Sequence, residues 1–593
     1  MRHLVIATAA VAILAGGGLT AQRKPYRGVN DTHPAPQFTS RASWNIRAAH
    51  LGELVLASAG LLPMPERTPL NANVFGDVTR DDYIVSKVYF ESLPGFFVTG
   101  NLYRPTGNGP FPAILSPHGH WAYGRLENSA TASVPGRAIN LARQGFVVFT
   151  YDMIGYNDSW QLEHRAFGGP REKLWGLSMA GLQLWNSIRG LDFLESLPYV
   201  QRDKIGATGA SGGGTQVFLL AAVDQRVAVA APVNMISLQM QGGCLCENQP
   251  GLRLDTTNVE IAATIAPRPL LMVSATGDWT TNTLEREYPA VRALYALQGA
   301  ADRVHGVRFE APHNYNQASR EAVYAWMARW LQNAPANERR EERSFTPDPL
   351  PDLMVFYKRP APQNAVDAAK LTSNWIAAAR GQLSSTPLET RARALRQALG
   401  FGPPLPSSAA VAPPPAEVKK GGRRRQVTVI VAGIDADLEK EMRSARFILK
   451  PVDFTPFDAA EAAKIPHFDT YNRTAASQRV ADIVEALRAT PDAMFVGSGD
   501  AALAALLALT IETGRRGVLD IGEFDTSSDA AFVERLYMPG LRRAGDLSTA
   551  ASLVEDRAVI HNAGPSFVLN GAPARRERMS AKEIVALLKS ETK

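Results

Sequence analysis

Cysteine is nearly absent from this chain, which carries two in 593 residues, Cys244 and Cys246. A framework of structural disulfides is excluded, and a one-residue spacer would close only a small, strained ring. The pair is read as two buried free thiols, with the disulfide as the alternative. No histidine stands near them in sequence at ligand spacing, so they make a poor zinc site. Long hydrophobic runs are equally scarce. The run Leu4 to Leu14 is too short for a comfortable bilayer crossing, and no later segment reads as a membrane span. Neither sign of charge dominates, with 63 Lys and Arg against 57 Asp and Glu. No basic face interleaved with aromatics is present, so a nucleic-acid partner is not expected.

What remains is an ordinary globular composition, 45% hydrophobic and 20% charged, long enough for roughly three to four domain-sized units or two large ones. Arg2 and His3 precede the apolar run, and small residues follow up to Ala21. This pattern predicts a signal peptide over 1–21 and an exported protein, periplasmic or secreted. The stretch 22–335 reads as one large unit. Tyr83 to Phe90 and Phe96 to Tyr103 alternate around Leu93-Pro94-Gly95, a hairpin. Strands at 112–116, 146–151, 204–208, 227–231, 270–274 and 307–310 then alternate with helices. That order predicts a mostly parallel sheet with helices on both faces, whose ligands sit beyond the carboxyl ends of the strands.

The centre of this unit is Gly209-Ala210-Ser211-Gly212-Gly213, between a β-type run and an apolar helical run. G-x-S-x-G at a strand-to-helix turn places a serine hydroxyl at the head of the sheet, and a Cβ at the flanking glycines would meet neighbouring backbone. Asp278 and His313 follow, each just beyond a later strand. Serine, then acid, then histidine is the α/β-hydrolase order, so Ser211 is expected to be the nucleophile, His313 the general base and Asp278 its orienting acid. Activity should then rise with pH as His313 loses its proton. Glu247, after the preceding strand, is the alternative acid, and Asp278 alone could be a turn residue. The oxyanion hole is assigned to the backbone N–H groups of Gly212 and His120, the latter in Ser116-Pro117-His118-Gly119-His120-Trp121, with Trp121 as the alternative donor. His118 and His120 lack a third ligand nearby, so no metal is expected. Trp121, Trp160, Trp175 and Trp279 are candidates to face a sugar, and Gly155 to Lys173 a candidate lid.

Gln241-Gly242-Gly243-Cys244-Leu245-Cys246-Glu247-Asn248, Asn258-Val259-Glu260-Ile261-Ala262-Ala263, Ala266-Pro267-Arg268-Pro269 and His313-Asn314-Tyr315-Asn316 resemble bacterial exported α/β hydrolases of the acetyl xylan esterase-like family over about residues 40 to 335. The resemblance implies a serine esterase acting without cofactor on acylated carbohydrate, with a small-molecule or polysaccharide ester as partner. A prolyl-oligopeptidase-type peptidase, and esterases for glucuronoyl, feruloyl or small esters, are the alternatives. Oligomeric state stays open.

Residues 336–425 read as a helical and Pro-rich connector. Residues 426–593 start a second α/β series that repeats the first, with Met494 to Gly499 where the elbow stood. Gly499 occupies the serine position, and no histidine occurs after His561. The second unit is therefore expected to be a degenerate hydrolase-like domain without chemistry.

Overall fold

The computed structural model describes residues 25–402, 426–567 and 574–591. The predicted signal peptide and most of the Pro-rich linker fall outside the described residues. Two sheets organise the chain. The larger has nine strands: β1 (Asn73–Thr79), β2 (Tyr83–Leu93), β3 (Phe96–Pro105), β4 (Phe111–Leu115), β5 (Val147–Tyr151), β6 (Val200–Ala210), β7 (Val227–Val233), β8 (Leu270–Gly277) and β9 (Val304–Pro312), in the order β1-β2-β3-β5-β4-β6-β7-β8-β9. Pairing is antiparallel from β1 to β5 through β2 and β3, and parallel from β5 to β9. The central strands are buried on both faces. Every residue of β5 is buried, which is why Val-Val-Phe-Thr-Tyr shows no alternation.

The helices that cover this sheet are α1 (Arg41–Ser58), α2 (Val134–Arg143), α3 (Met179–Ser196), α4 (Gly212–Val223), α5 (Tyr288–Leu297) and α6 (Gln317–Leu331). Their starts follow local chemistry. Ser40, Ser133, Ser178 and Asn316 each accept a hydrogen bond from the third backbone N–H of the helix they precede, supplying one partner to a turn that has none of its own. Helix α4 differs. It is mostly apolar and buried from Gly212 to Ala221, its cap residue Ser211 makes no side-chain capping bond, and glycines fill the start of its first turn.

The smaller sheet has five parallel strands, β10 (Thr428–Ala432), β11 (Ile448–Pro451), β12 (Met494–Ser498), β13 (Gly517–Asp520) and β14 (Ala558–His561), in the order β11-β10-β12-β13-β14. This is the order β5-β4-β6-β7-β8 of the larger sheet, strand for strand and in the same chain sequence. After β12, Gly499 opens the apolar helix Asp500–Ile511 with φ 62° and ψ −132°, against φ 56° and ψ −125° at Ser211. The expected repeat thus extends to the backbone of the turn. No strand equivalent to β9 occurs among the described residues of this unit.

The two units share one hydrophobic cluster, in which Leu51, Trp375, Leu395, Leu503 and Leu547 all take part. Between them, residues 335–402 run along the first unit. Glu342, within the charged run 338–343, is bound by the Arg320 guanidinium at 2.6 Å, and the Phe345 ring lies on Gly136 of α2. Arg543 crosses the junction, donating to the carbonyls of Gly60 (3.0 Å) and Pro63 (2.5 Å) and to the Gln382 side chain (2.6 Å). Burial in this contact, with no compensating carboxylate among the described residues, pulls its guanidinium down to about 10. Among the described residues no helix is long and apolar enough to cross a membrane.

Candidate active site

Ser211 sits directly after β6 and before α4, at a backbone angle that L-residues rarely adopt. Such strain costs about 1–3 kcal/mol and persists only where packing dictates it. The packing here is backbone on backbone. A Cβ at Gly209 would lie 2.7 Å from the Pro117 carbonyl oxygen, and one at Gly213 only 2.5 Å from that of His118. The loop after β4 is therefore pressed against the turn, and a Cβ at Gly119 would fall 3.3 Å from the Ser211 Cβ. Gly212 is the first residue of α4, so its N–H is one of those without an intrahelical acceptor.

His313 follows β9 immediately, and Asp278 follows β8 immediately. These neighbouring strand ends bring them together: His313 Nδ1 lies 2.9 Å from Asp278 Oδ2. The other carboxylate oxygen accepts from the Thr280 backbone N–H at 2.7 Å and from its hydroxyl. The Asp278 side chain is 2% exposed and that of His313 26%, the combination expected of a fixed acid behind an imidazole that must meet substrate. The motif around the histidine is anchoring. Tyr315 is buried with its hydroxyl 2.6 Å from that of Thr208 on β6, the Arg137 guanidinium lies over its ring, and Asn316 caps α6.

Glu247 lies elsewhere. Its carboxylate accepts from the backbone N–H groups of Gly243 (2.9 Å) and Cys244 (3.0 Å), with the Thr215 hydroxyl at 3.4 Å, and it closes the short turn Leu245–Glu247. Gln241, Arg253 and Asn258 complete the same loop: Asn258 bonds both the backbone and side chain of Gln241, and Arg253 donates to Asn258 and to the Glu247 carbonyl. The motif residues around the two cysteines therefore shape a loop.

The tryptophans separate into three groups. Trp121 and Trp279 both flank the His313 ring, with centroids at 5.8 and 4.5 Å. Trp160 is 57% exposed and makes no ring contact with them. Trp175 is buried at the junction instead, donating to Asp529 at 2.9 Å beneath the guanidinium groups of Arg380 and Arg542. It corrects the expectation of a mouth residue, because its indole spans the contact between units. The candidate lid is tied down at Asp158, which takes the Arg125 guanidinium and the N–H groups of Val355 and Phe356, and at Gln161, which bonds Gly95 and Phe97.

One grouping escapes the sequence altogether. His118 turns inward, its Nε2 accepting from the Met153 N–H at 2.9 Å. His120 instead meets His164, from the loop after β5, and both cysteines. Cys244 and Cys246 are buried and unbridged. Burial alone would lower the His120 imidazole, but the Cys244 sulfur and the Glu247 carboxylate raise it above its ordinary value. The histidines that meet the thiols, His120 and His164, stand 126 and 82 positions before Cys246 in the chain, a separation that no local spacing rule detects.

At the second elbow no such assembly occurs. Gly499 offers no side chain, Ser498 remains within β12, and the strand that carries His313 in the first unit has no counterpart among the described residues. A Cβ at Gly499 would meet nothing within 4 Å. Gly499→Ser should therefore fold at a cost of about 1–3 kcal/mol from backbone strain. Introduced beside Ser211→Ala, it should add no ester hydrolysis. Thermal melting together with a sensitive chromogenic ester assay checks both points.

No family model matches the chain. It is 29% identical over 297 residues, spanning 45% of this chain and 95% of the other, to the Bacillus subtilis (strain 168) protein YtaP, which carries a hydrolase designation. Among solved structures it is similar to the methylesterase BT1017, at 29% identity and a TM-score of 0.50 over 59% of this chain and 78% of that one. An acetyl xylan esterase from Paenibacillus sp. R4 aligns at 18% identity with a TM-score of 0.33, over 51% of this chain and 98% of that one, too distant for any residue to be carried across. With serine, acid and histidine at three strand ends of such a sheet, the chain has the α/β-hydrolase fold, and its likeness to YtaP and BT1017 marks it as a carboxylic-ester hydrolase.

Proposed function

We infer that the chain hydrolyses ester bonds on acylated carbohydrate through Ser211, His313 and Asp278. Ser211 Oγ attacks the ester carbonyl while His313 takes its proton, and the oxyanion is received by the N–H groups of Gly212 and His120. His313 then gives that proton to the departing alcohol oxygen, leaving an acyl-serine. Water, deprotonated by the same imidazole, releases the acid. Asp278 holds the Nδ1–H tautomer throughout and stabilises the imidazolium. The observation that supports this reading most is the His313–Asp278 hydrogen bond at adjacent strand ends, in the same sheet whose strand β6 ends in the strained serine turn.

The aromatic rings bear on which side of the ester carries the sugar. His313 must reach the leaving oxygen, so Trp121 and Trp279, both against its ring, border the leaving-group side. Aromatic faces suit sugar rings, and this favours substrates in which the sugar is the alcohol, as in an acetylated glycan. The likeness to a methylesterase supports a second reading in which the acid carries the acyl part and methanol leaves. In either case we place the enzyme outside the cytoplasm. A panel of acetylated, feruloylated and glucuronoyl saccharides, methyl-esterified uronic acids and peptide anilides tests the assignment. The highest kcat/KM should fall on acetylated saccharides. Preference for methyl uronates would reverse the polarity of the site, and anilide cleavage would make it a peptidase.

A further inference from the structure

We propose that His120, His164, Cys244 and Cys246 form a binding site for one zinc ion that fastens together three of the loops around the serine turn. The four ligand atoms lie within 4.8 Å of one another. His120 Nε2 is 3.2 Å from His164 Nε2 and 3.1 Å from Cys246 Sγ. A tetrahedral zinc with nitrogen ligands at about 2.0–2.1 Å and sulfur at about 2.3 Å has edges of roughly 3.3–3.8 Å, so the two closest pairs open by a few tenths of an ångström and the widest separation, 4.8 Å at most, closes by about 1 Å. Cys246 is 2% exposed, Cys244 and His164 8%. Two imidazoles and two thiols select zinc over the harder divalent cations, which prefer oxygen.

The outer contacts are those a metal site requires. The His164 Nδ1 lies 2.6 Å from the Ile154 carbonyl oxygen, which can only accept, so the hydrogen sits on Nδ1 and Nε2 keeps its lone pair. The cysteine loop is fixed before any ion arrives, by Glu247 on the N–H groups of Gly243 and Cys244 and by Asn248 on the carbonyls of Gly242 and Cys244. Binding replaces two thiol hydrogens by Zn²⁺ and releases two protons, so no net charge is buried. With four protein ligands no position is left for water, and the ion has a structural part rather than a Lewis-acid one.

Its location gives that structural part a consequence for the reaction. The ligands come from the loops after β4, β5 and β7, and β6 with Ser211 lies between β4 and β7 in the sheet. The His120 ring also abuts the turn, since a Cβ at Gly212 would fall 2.5 Å from its Cε1. Zinc on His120 would hold the backbone of that residue where the oxyanion needs a donor. His164, Cys244 and Cys246 are thus positioning residues.

The test uses the full-length protein, purified under reducing conditions without metal-affinity resin or chelator. Elemental analysis should find about one zinc per chain, retained on dialysis against EDTA and released when an organomercurial titrates two thiols. His164→Ala and Cys246→Ser should each lower zinc content at least about tenfold, with a lower melting temperature and a fall in kcat larger than the change in KM. Should these variants fail to fold, the unmodified protein still decides the matter. Stripped of zinc and given Co²⁺, it should develop the intense thiolate-to-cobalt and visible d–d bands of a tetrahedral site. Protein that purifies without zinc and gives no such spectrum would overturn the proposal, and so would a Cys244–Cys246 disulfide found by mass spectrometry.

Discussion

Replacing Ser211 by alanine should lower kcat on any ester substrate by about a million-fold, while leaving the melting temperature close to that of the parent. The size of the effect follows from what is removed. The hydroxyl is the only group on the turn able to form the acyl bond, and the rest of the machinery acts on it: a histidine with no proton to take contributes nothing to attack. The fold should hold because the turn is built by glycine contacts with the Pro117 and His118 carbonyls, none of which involve the serine oxygen. Alanine inherits the same unfavourable φ of 56°, so no strain is relieved or added. Steady-state hydrolysis beside a thermal melt is sufficient. Activity above about one per cent of the parent would place the nucleophile elsewhere, since residual catalysis from binding and oxyanion donors alone is far smaller.

Asp278→Asn should cost about four orders of magnitude in kcat with little change in KM. The amide keeps the shape of the carboxylate but presents an N–H₂ where the imidazole Nδ1–H now finds an acceptor. The ring would have to turn over or shift its hydrogen to Nε2, the atom that must be free to accept from Ser211. The negative charge that stabilises the imidazolium is lost as well. Glu247→Gln provides the contrast. Its bonds go to Gly243, Cys244 and Thr215, so the change should unsettle the cysteine loop and lower stability by about 1–3 kcal/mol, with a far smaller effect on kcat than Asp278→Asn. The reverse ranking, measured on the same ester, would move the acid to the end of β7.

The hairpin, the alternating strands and helices and the three candidate catalytic positions were legible in the chain because each rests on local chemistry. Ser211 is flanked by the glycines that its turn needs, and Asp278 and His313 each follow an apolar run that ends a strand. A rule that operates within a few residues can be read from a few residues. The second unit was legible for the same reason, since Gly499 keeps the glycine-compatible turn and the apolar helix after it. Strand β1 was not. Its burial pattern is almost wholly exposed, so no alternation announces it, and it exists only because β2 offers an edge to pair with. Trp175 was misplaced because an indole near a predicted mouth looks the same in sequence whether it faces a substrate or Asp529 of another unit.

The sequence by itself determined the elbow, the order of serine, acid and histidine, and the glycine at the matching turn of the second unit, because backbone conformation at a tight turn and the identity of a side chain are properties of single residues. Tertiary structure alone decided which carboxylate meets His313, and that two histidines meet two cysteines. Parallel strands are joined by long crossovers, so their carboxyl ends gather loops far apart in the chain into one place. Asp278 and His313 lie 35 residues apart, and His120 and Cys246 lie 126 apart. Distances of that kind are set by strand order in the sheet, which no spacing along the chain records.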